Sequence, residues 1–229
     1  MDTLQELSDP HIAAHSQRFF KTGPGEYGEG DRFLGIRVPT LRKCVGRYRT
    51  VSLEETLELL KSPYHEVRLF ALLMLVTKYA SERTRAEKET IYRSYLRHTP
   101  FINNWDLVDA SAAHIVGAYL FDKDRKPIYR LIRSSNLWER RIGVMATFHF
   151  VKRADFSDTL AIAECLLHDK EALIHKAAGW MLREVGKRNR DVEEGFLLKH
   201  YKAMPRTMLR YAIEKFPEAD RQAYLQGNK

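Results

Sequence analysis

The sequence predicts an all-α protein, a right-handed-type α-solenoid of about six helical hairpins with a concave basic groove. Apolar residues recur at intervals of three and four almost throughout, and no stretch sustains the two-residue alternation of a half-buried strand. Several helices also resemble one another at a roughly constant spacing, the mark of stacked repeats. With 229 residues and 44% hydrophobic composition, the chain can bury a sizeable core as a single repeat domain spanning residues 1–229.

Taken in order, Met1-Asp2-Thr3-Leu4-Gln5-Glu6 is acidic and lacks the basic-then-apolar order of a secretory signal. His11 and His15 are one helical turn apart, as a metal pair would be, but no third ligand is identifiable. An amphipathic helix carrying two histidines, with no metal, is the simpler reading. Gly23-Pro24-Gly25-Glu26-Tyr27-Gly28 satisfies G-x-G-x-x-G, yet it follows the helical segment Ser16–Lys21, whereas dinucleotide binding needs a preceding strand. The glycine-rich loop at 23–31 therefore reads as a flexible surface segment, a mobile arm over the groove.

Pro39, Pro100 and Pro205 punctuate helix boundaries. Ser52-Leu53-Glu54-Glu55 is a capping box, and Ser62-Pro63 predicts a helix with Pro63 at its first position. The apolar run Leu69–Val76, bounded by Arg68 and Lys78, is far too short to span a membrane. Cys44 and Cys165 are the only cysteines, too few for a disulfide framework, and a reducing cytoplasm is the expected compartment. No P-loop and no G-x-S-x-G elbow occurs.

The segments His65–Leu72, Glu139–Ala146 and Ile174–Met181 each place a basic residue just before a small or apolar run. Aligning Arg68, Asp109, Arg141, Lys176 and Arg210 gives steps of 41, 32, 35 and 34 residues. That period belongs to solenoids of the HEAT, armadillo and tetratricopeptide class, in which equivalent positions form a row across the groove. Four members of the row are basic, and Lys and Arg outnumber Asp and Glu by 38 to 30 overall, for a net charge of +8. An anionic partner, nucleic acid first, is expected.

The lone acid of the row, Asp109, follows Trp105 by one helical turn. A tryptophan face and a carboxylate suit a developing cation, while a structural ring and a solvated acid are the plainer alternative. Basic neighbours should hold Asp109 ionised, below the range of an isolated carboxylate. Trp180 lies four residues after Lys176 and repeats the spacing. Trp138 reads as core, and Arg141 as either a phosphate contact or an ion-pair partner of Asp109.

At these residues the sequence resembles the DNA alkylation repair family of AlkD-type DNA glycosylases, whose fold is a HEAT-like solenoid. The matching pieces are Arg32–Pro39, Asn104–Asp109, Asn136–Arg141 and Lys176–Glu184. The resemblance implies a monofunctional hydrolase without cofactor that cleaves the N-glycosidic bond of N3- or N7-alkylated purines in double-stranded DNA, without a base-flipping pocket. It puts Asp109 at the catalytic carboxylate position, Trp105 and Trp180 against the lesion nucleotide, and Arg141 on the DNA backbone. Phe19 stands where the family has a tyrosine, which keeps a stacking surface and removes a hydroxyl. Arg68, Lys176 and Arg210 are further candidates for phosphate contacts. A monomer is the simpler expectation for a chain that wraps a duplex. The competing readings are a non-catalytic HEAT-like protein that binds distorted or branched DNA, and a protein-binding scaffold.

Overall fold

Helix α4 (His65–Ser81) organises the first half of the chain because it is apolar nearly all round, burying Val67, Phe70, Ala71, Leu72, Met74 and Leu75 among others. The computed structural model describes residues 2–229, with side chains from Leu4 onward; Met1, at the head of the acidic N-terminal stretch, lies outside the described residues. Around α4 pack α2 (Val38–Val45), α3 (Leu53–Leu59), α5 (Arg85–Arg97) and the short α6 (Trp105–Asp109), while α1 (Pro10–Phe19) precedes them in sequence. The described residues contain helices and turns but no strand; one isolated parallel bridge joins Arg32 to Tyr64. None of these helices is long and apolar enough to cross a membrane.

The chain divides into two compact units, residues 1–115 and 116–229. In the first, the predicted capping box is formed: Ser52 Oγ accepts from the Glu55 backbone N–H at 3.1 Å and Glu55 accepts from that of Ser52 at 2.8 Å. A second box, Thr84 with Glu87, starts α5. The Ser62-Pro63 start is corrected. Helix α4 begins at His65 with Tyr64 as its N-cap, because the His65 N–H donates to Arg32 O at 2.8 Å and the bridge keeps Tyr64 extended.

The segment after Arg32 is held by a buried carboxylate. Glu66 accepts from the backbone N–H groups of Leu34 (2.8 Å), Gly35 (2.8 Å) and Ile36 (3.2 Å), the kind of satisfaction a buried charge requires. Gly35 has φ +83°, and a Cβ there would lie 2.0 Å from Asp9 O, so only glycine fits. Asp9 in turn caps α1, accepting from the N–H groups of His11 (2.9 Å) and Ile12 (3.1 Å). Glu66 thereby fixes, through two short links, the helix that carries Phe19.

The glycine-rich loop at 23–31 is exposed over residues 24–26 and at Glu29 and Gly30, and it turns back on itself. Successive turns close it: Gly28 N donates to Lys21 O at 3.0 Å, Asp31 N to Gly28 O at 3.0 Å, and Gly23 N to Glu26 Oε2 at 3.0 Å. Gly28 is buried, and its approach to Phe20 O leaves no room for a Cβ, which would sit 2.5 Å away. The loop returns the chain inward and delivers Asp31 to the interior.

The second unit stacks α7 (Lys126–Leu131), α8 (Leu137–Ala146), α9 (Ser157–Cys165), α10 (Ala172–Gly186), α11 (Arg190–His200), α12 (Arg206–Ala212) and α13 (Glu218–Gln226). Helix α10 is its centre, packed against α8, α9, α11 and α12. The expected register recurs at the level of single helices: Asp109, Arg141, Lys176 and Arg210 are each the fifth residue of theirs. Glycines set the closest approaches, since a Cβ on Gly179 would lie 2.4 Å from Met208 O and one on Gly143 2.6 Å from Ile132 Cγ2. Substitution Gly179→Ala must therefore push α10 from α12, and a loss of about 1–3 kcal/mol in chemical denaturation is expected. An unchanged midpoint would contradict this packing.

Candidate active site

Four charged side chains from three separate stretches meet in the interior of the first unit. His65 Nδ1 lies 3.0 Å from Asp31 Oδ2 and its Nε2 2.8 Å from Asp106 Oδ2. Arg68 pairs with the other oxygen of Asp31, and also donates to Ser62 O at 2.9 Å and Asn103 Oδ1 at 3.2 Å. With both ring nitrogens against carboxylates, the imidazole is a double donor and carries charge. Burial opposes that charge, but Asp106 and Asp31 outweigh it and raise His65 to about 9. For Asp31, burial pushes the carboxyl up, while the His65 hydrogen bond and the Arg68 charge more than reverse it and hold it below the usual range. Two cations thus balance two anions, with Asp106 alone of the four reaching solvent.

This cluster anchors α6. Asn104 is fully buried; its side-chain oxygen accepts from Trp105 N at 2.8 Å and its Nδ2 donates to Asp31 Oδ2 at 3.3 Å. Asp106, in the first turn, is clamped by His65. Leu107 and Val108 are fully buried, so Trp105 and Asp109 lie on the half-buried side of the helix. A five-residue helix has little stability of its own, and its place is set by these contacts.

Trp105 ends a column of rings. Phe20 stacks on it at 5.3 Å with planes 23° apart, and Phe20 continues onto Phe33 at 5.1 Å and His65 at 4.9 Å. Phe33 stacks on His65 at 4.6 Å. The charged imidazole therefore packs against both phenyl rings, which also stack on each other, and aromatic faces favour a cation. Phe19 is 57% exposed and meets Trp105 edge-on at 6.0 Å. Asp109 makes itself felt on fully buried Tyr95: burial first, then the Asp109 charge, pushes that phenol far above its usual range, against a hydrogen bond with Ser111 Oγ at 2.9 Å.

Trp105, Asp109, Phe19 and Arg68 lie in the first unit, and Arg141, Trp180, Lys176 and Arg210 in the second. Arg68 is corrected as a phosphate contact. It is 4% exposed and its guanidinium is spent on Asp31, Ser62 and Asn103, so the basic position in the repeat row is an interior ion pair. Arg141 is 5% exposed and donates to Leu173 O at 2.7 Å. Lys176 and Arg210 are exposed; Trp138 is buried, as a core residue should be. Trp180 is half-buried, its indole N–H donating to Glu184 Oε1 at 3.3 Å. His11 and His15 are both exposed on α1, and the described residues hold no cluster of metal-binding side chains.

Sequence reasoning missed Asp31, His65, Asp106, Phe20 and Phe33. Asp106 stood inside the motif and Phe20 beside Phe19, but their partners are distant in sequence and come together only on folding. The cluster makes a stability prediction. His65 is raised in the folded state, so its contribution is complete below about pH 6.5 and disappears as pH climbs through about 9. Denaturation midpoints should fall across that window by the equivalent of a few kcal/mol. His65→Gln should abolish this part of the pH dependence and cost about 3–5 kcal/mol at pH 7, because buried Asp31 and half-buried Asp106 lose their cation. A flat wild-type profile between these pH values would refute the assignment.

Comparison with known proteins follows the same lines. A family model described as DNA alkylation repair enzyme matches residues 1–216. No curated protein matches the chain. Among solved structures, a predicted DNA alkylation repair enzyme from Enterococcus faecalis superposes with a TM-score of 0.71 at 16% identity, covering 92% of this chain and 97% of that one. AlkD2 from Streptococcus mutans superposes with a TM-score of 0.56, also at 16% identity, covering 91% and 98%. At such identity these two likenesses speak for a shared helical fold alone. The family match extends over most of the sequence, and the chain belongs to the DNA alkylation repair enzyme family.

Proposed function

We propose that this protein is a monofunctional DNA glycosylase that hydrolyses the N-glycosidic bond of N3- or N7-alkylated purines in duplex DNA. The observation that carries the reading is the Trp105–Asp109 pair: an aromatic face and a carboxylate on one short helix whose first turn is clamped by a buried ionic cluster. Pre-organisation of this kind is what electrostatic stabilisation of a cation demands. Membership of the repair family and the charge of +8 support DNA as the partner.

An alkylated purine is cationic and already a good leaving group. As its bond to the sugar lengthens, the bonding electrons pass to the base, which departs neutral, and positive charge grows on the sugar. Asp109 stabilises that oxocarbenium ion and orients the water that adds to it, accepting a proton as the new C–O bond forms. The Trp105 face adds cation–π attraction of about 0.5–2 kcal/mol. Trp180 takes the same aromatic role and Arg141 a backbone role, by the family resemblance, with Phe19, Lys176 and Arg210 as further DNA contacts. The base needs no general acid and no extrusion into a pocket, and no lysine is required as a Schiff-base nucleophile. The protein acts as a monomer.

Incubation with methylated duplex DNA, scored for free 3-methyladenine and 7-methylguanine, tests the reading. Wild type should release base, and Asp109→Asn should lose about 10²–10⁴-fold in rate with DNA binding retained. Release that is unchanged in Asp109→Asn would sink the assignment. Binding without release by wild type would favour the non-catalytic reading.

A further inference from the structure

Trp180 does not stand alone on its unit. Phe148, half-buried in the helical turn Phe148–Val151, lies 6.3 Å from it with ring planes 44° apart. Two cations bracket that phenyl ring: Lys152 Nζ is 4.3 Å from its centroid and Arg188 Cζ is 5.9 Å away. Glu184 ties the group together, accepting from the Trp180 indole at 3.3 Å, from Lys187 Nζ at 2.5 Å and from Arg188 Nη1 at 3.1 Å. Burial alone would raise the Glu184 carboxyl, but its bonds to Lys187 and Arg188 hold it below its ordinary range. Lys187 and Arg188 thus share a single acid, whereas Lys152 takes no carboxylate among the described residues.

A lysine with no acid partner, positioned by an aromatic face instead, keeps all three N–H donors for something else. Its chain is directed by geometry: Lys152 follows Phe148 by one helical turn, its backbone N–H donating to Phe148 O at 3.1 Å, so the ring and the lysine stem leave the same face of that turn. Arg188 is held from the other direction, because Nη1 is spent on the Glu184 backbone oxygen at 2.8 Å and on its carboxylate. Its Nη2 has no protein partner among the described residues. Two cations that leave donors unused, beside an aromatic ring at the same end of α10, match a phosphodiester, whose oxygens accept from both while the sugar edge meets the ring.

We propose that Lys152 and Arg188, seated around Phe148 beside Trp180, form a phosphodiester-binding seat for the DNA backbone. The seat rests on the reading of this protein as a DNA-binding repair enzyme, and deepens it by assigning a contact outside the repeat row. It fixes the strand next to Trp180 and carries no chemistry, so Lys152 is a binding residue and not a catalytic one.

The test is the salt dependence of affinity of the full chain for a short fluorescent DNA duplex, measured by anisotropy between about 50 and 200 mM salt. Loss of one phosphate contact in Lys152→Gln should flatten the plot of log K against log salt by about 0.9 and weaken binding roughly fivefold at 0.15 M. Lys152→Arg should restore the slope. Lys199→Gln, which removes a cation already paired with Glu164, should leave the slope as in wild type. A Lys152→Gln slope equal to that of wild type, with DNA still bound, would overturn the seat and leave the glycosylase reading standing. Binding that depends on Lys152 in a protein releasing no methylated base would do the reverse. Failure of wild type to bind duplex DNA would end both.

Discussion

A protonated imidazole buried between two carboxylates decides where the catalytic-looking residues of this protein sit. His65 reaches Asp31 on one side and Asp106 on the other, and Arg68 completes the balance of charge. Removing four charges from water is costly, and only their mutual attraction with full hydrogen bonding makes the arrangement tolerable. The loop through residue 31, the start of α4 and the first turn of α6 are each held because they bring one member. Trp105 and Asp109 inherit that position, being the residues on either side of the clamp.

The same logic runs through smaller contacts. Glu66 uses its charge on three backbone N–H groups to fix the 34–36 segment, and that segment holds α1 through Asp9. Phe20, at the end of α1, then closes the column of rings behind Trp105. In the second unit Glu184 plays a comparable part, orienting the Trp180 indole while being satisfied by Lys187 and Arg188. Each tryptophan proposed to face the lesion is held near a buried carboxylate, Trp105 through Asn104 and Asp31 and Trp180 directly by Glu184.

Much of this was legible in the sequence. Helical periodicity gave the all-α class, and four of the five members of the repeat row, Asp109, Arg141, Lys176 and Arg210, occupy the same position in their helices. One-turn spacing put Trp105 and Asp109 on one helix. What failed was inference from charge to exposure: Arg68 sits one residue earlier in its helix than the other row members do in theirs, and the nearby acid from the glycine-rich loop draws it inward. That loop keeps the exposed position its composition suggests at most of its residues, with one inward feature that composition does not announce. Its glycines suggest mobility, but Gly28 is small because Phe20 O lies against it. The start of α4 was misplaced because Tyr64 is held by a bridge to Arg32, a long-range contact that local proline rules do not contain. The cluster itself joins residues 34 and 41 positions apart, and nothing in their spacing announces it.

The ionic cluster is the claim on which the account stands, and the protonation state of His65 tests it most directly. Nitrogen-15 NMR of the histidine side chains across a pH titration reports it without perturbing the site. The account predicts that His65 carries protons on both ring nitrogens at pH 7 and titrates only near pH 9. A neutral His65 at pH 7, or titration near the unperturbed imidazole value of about 6.5, would contradict it.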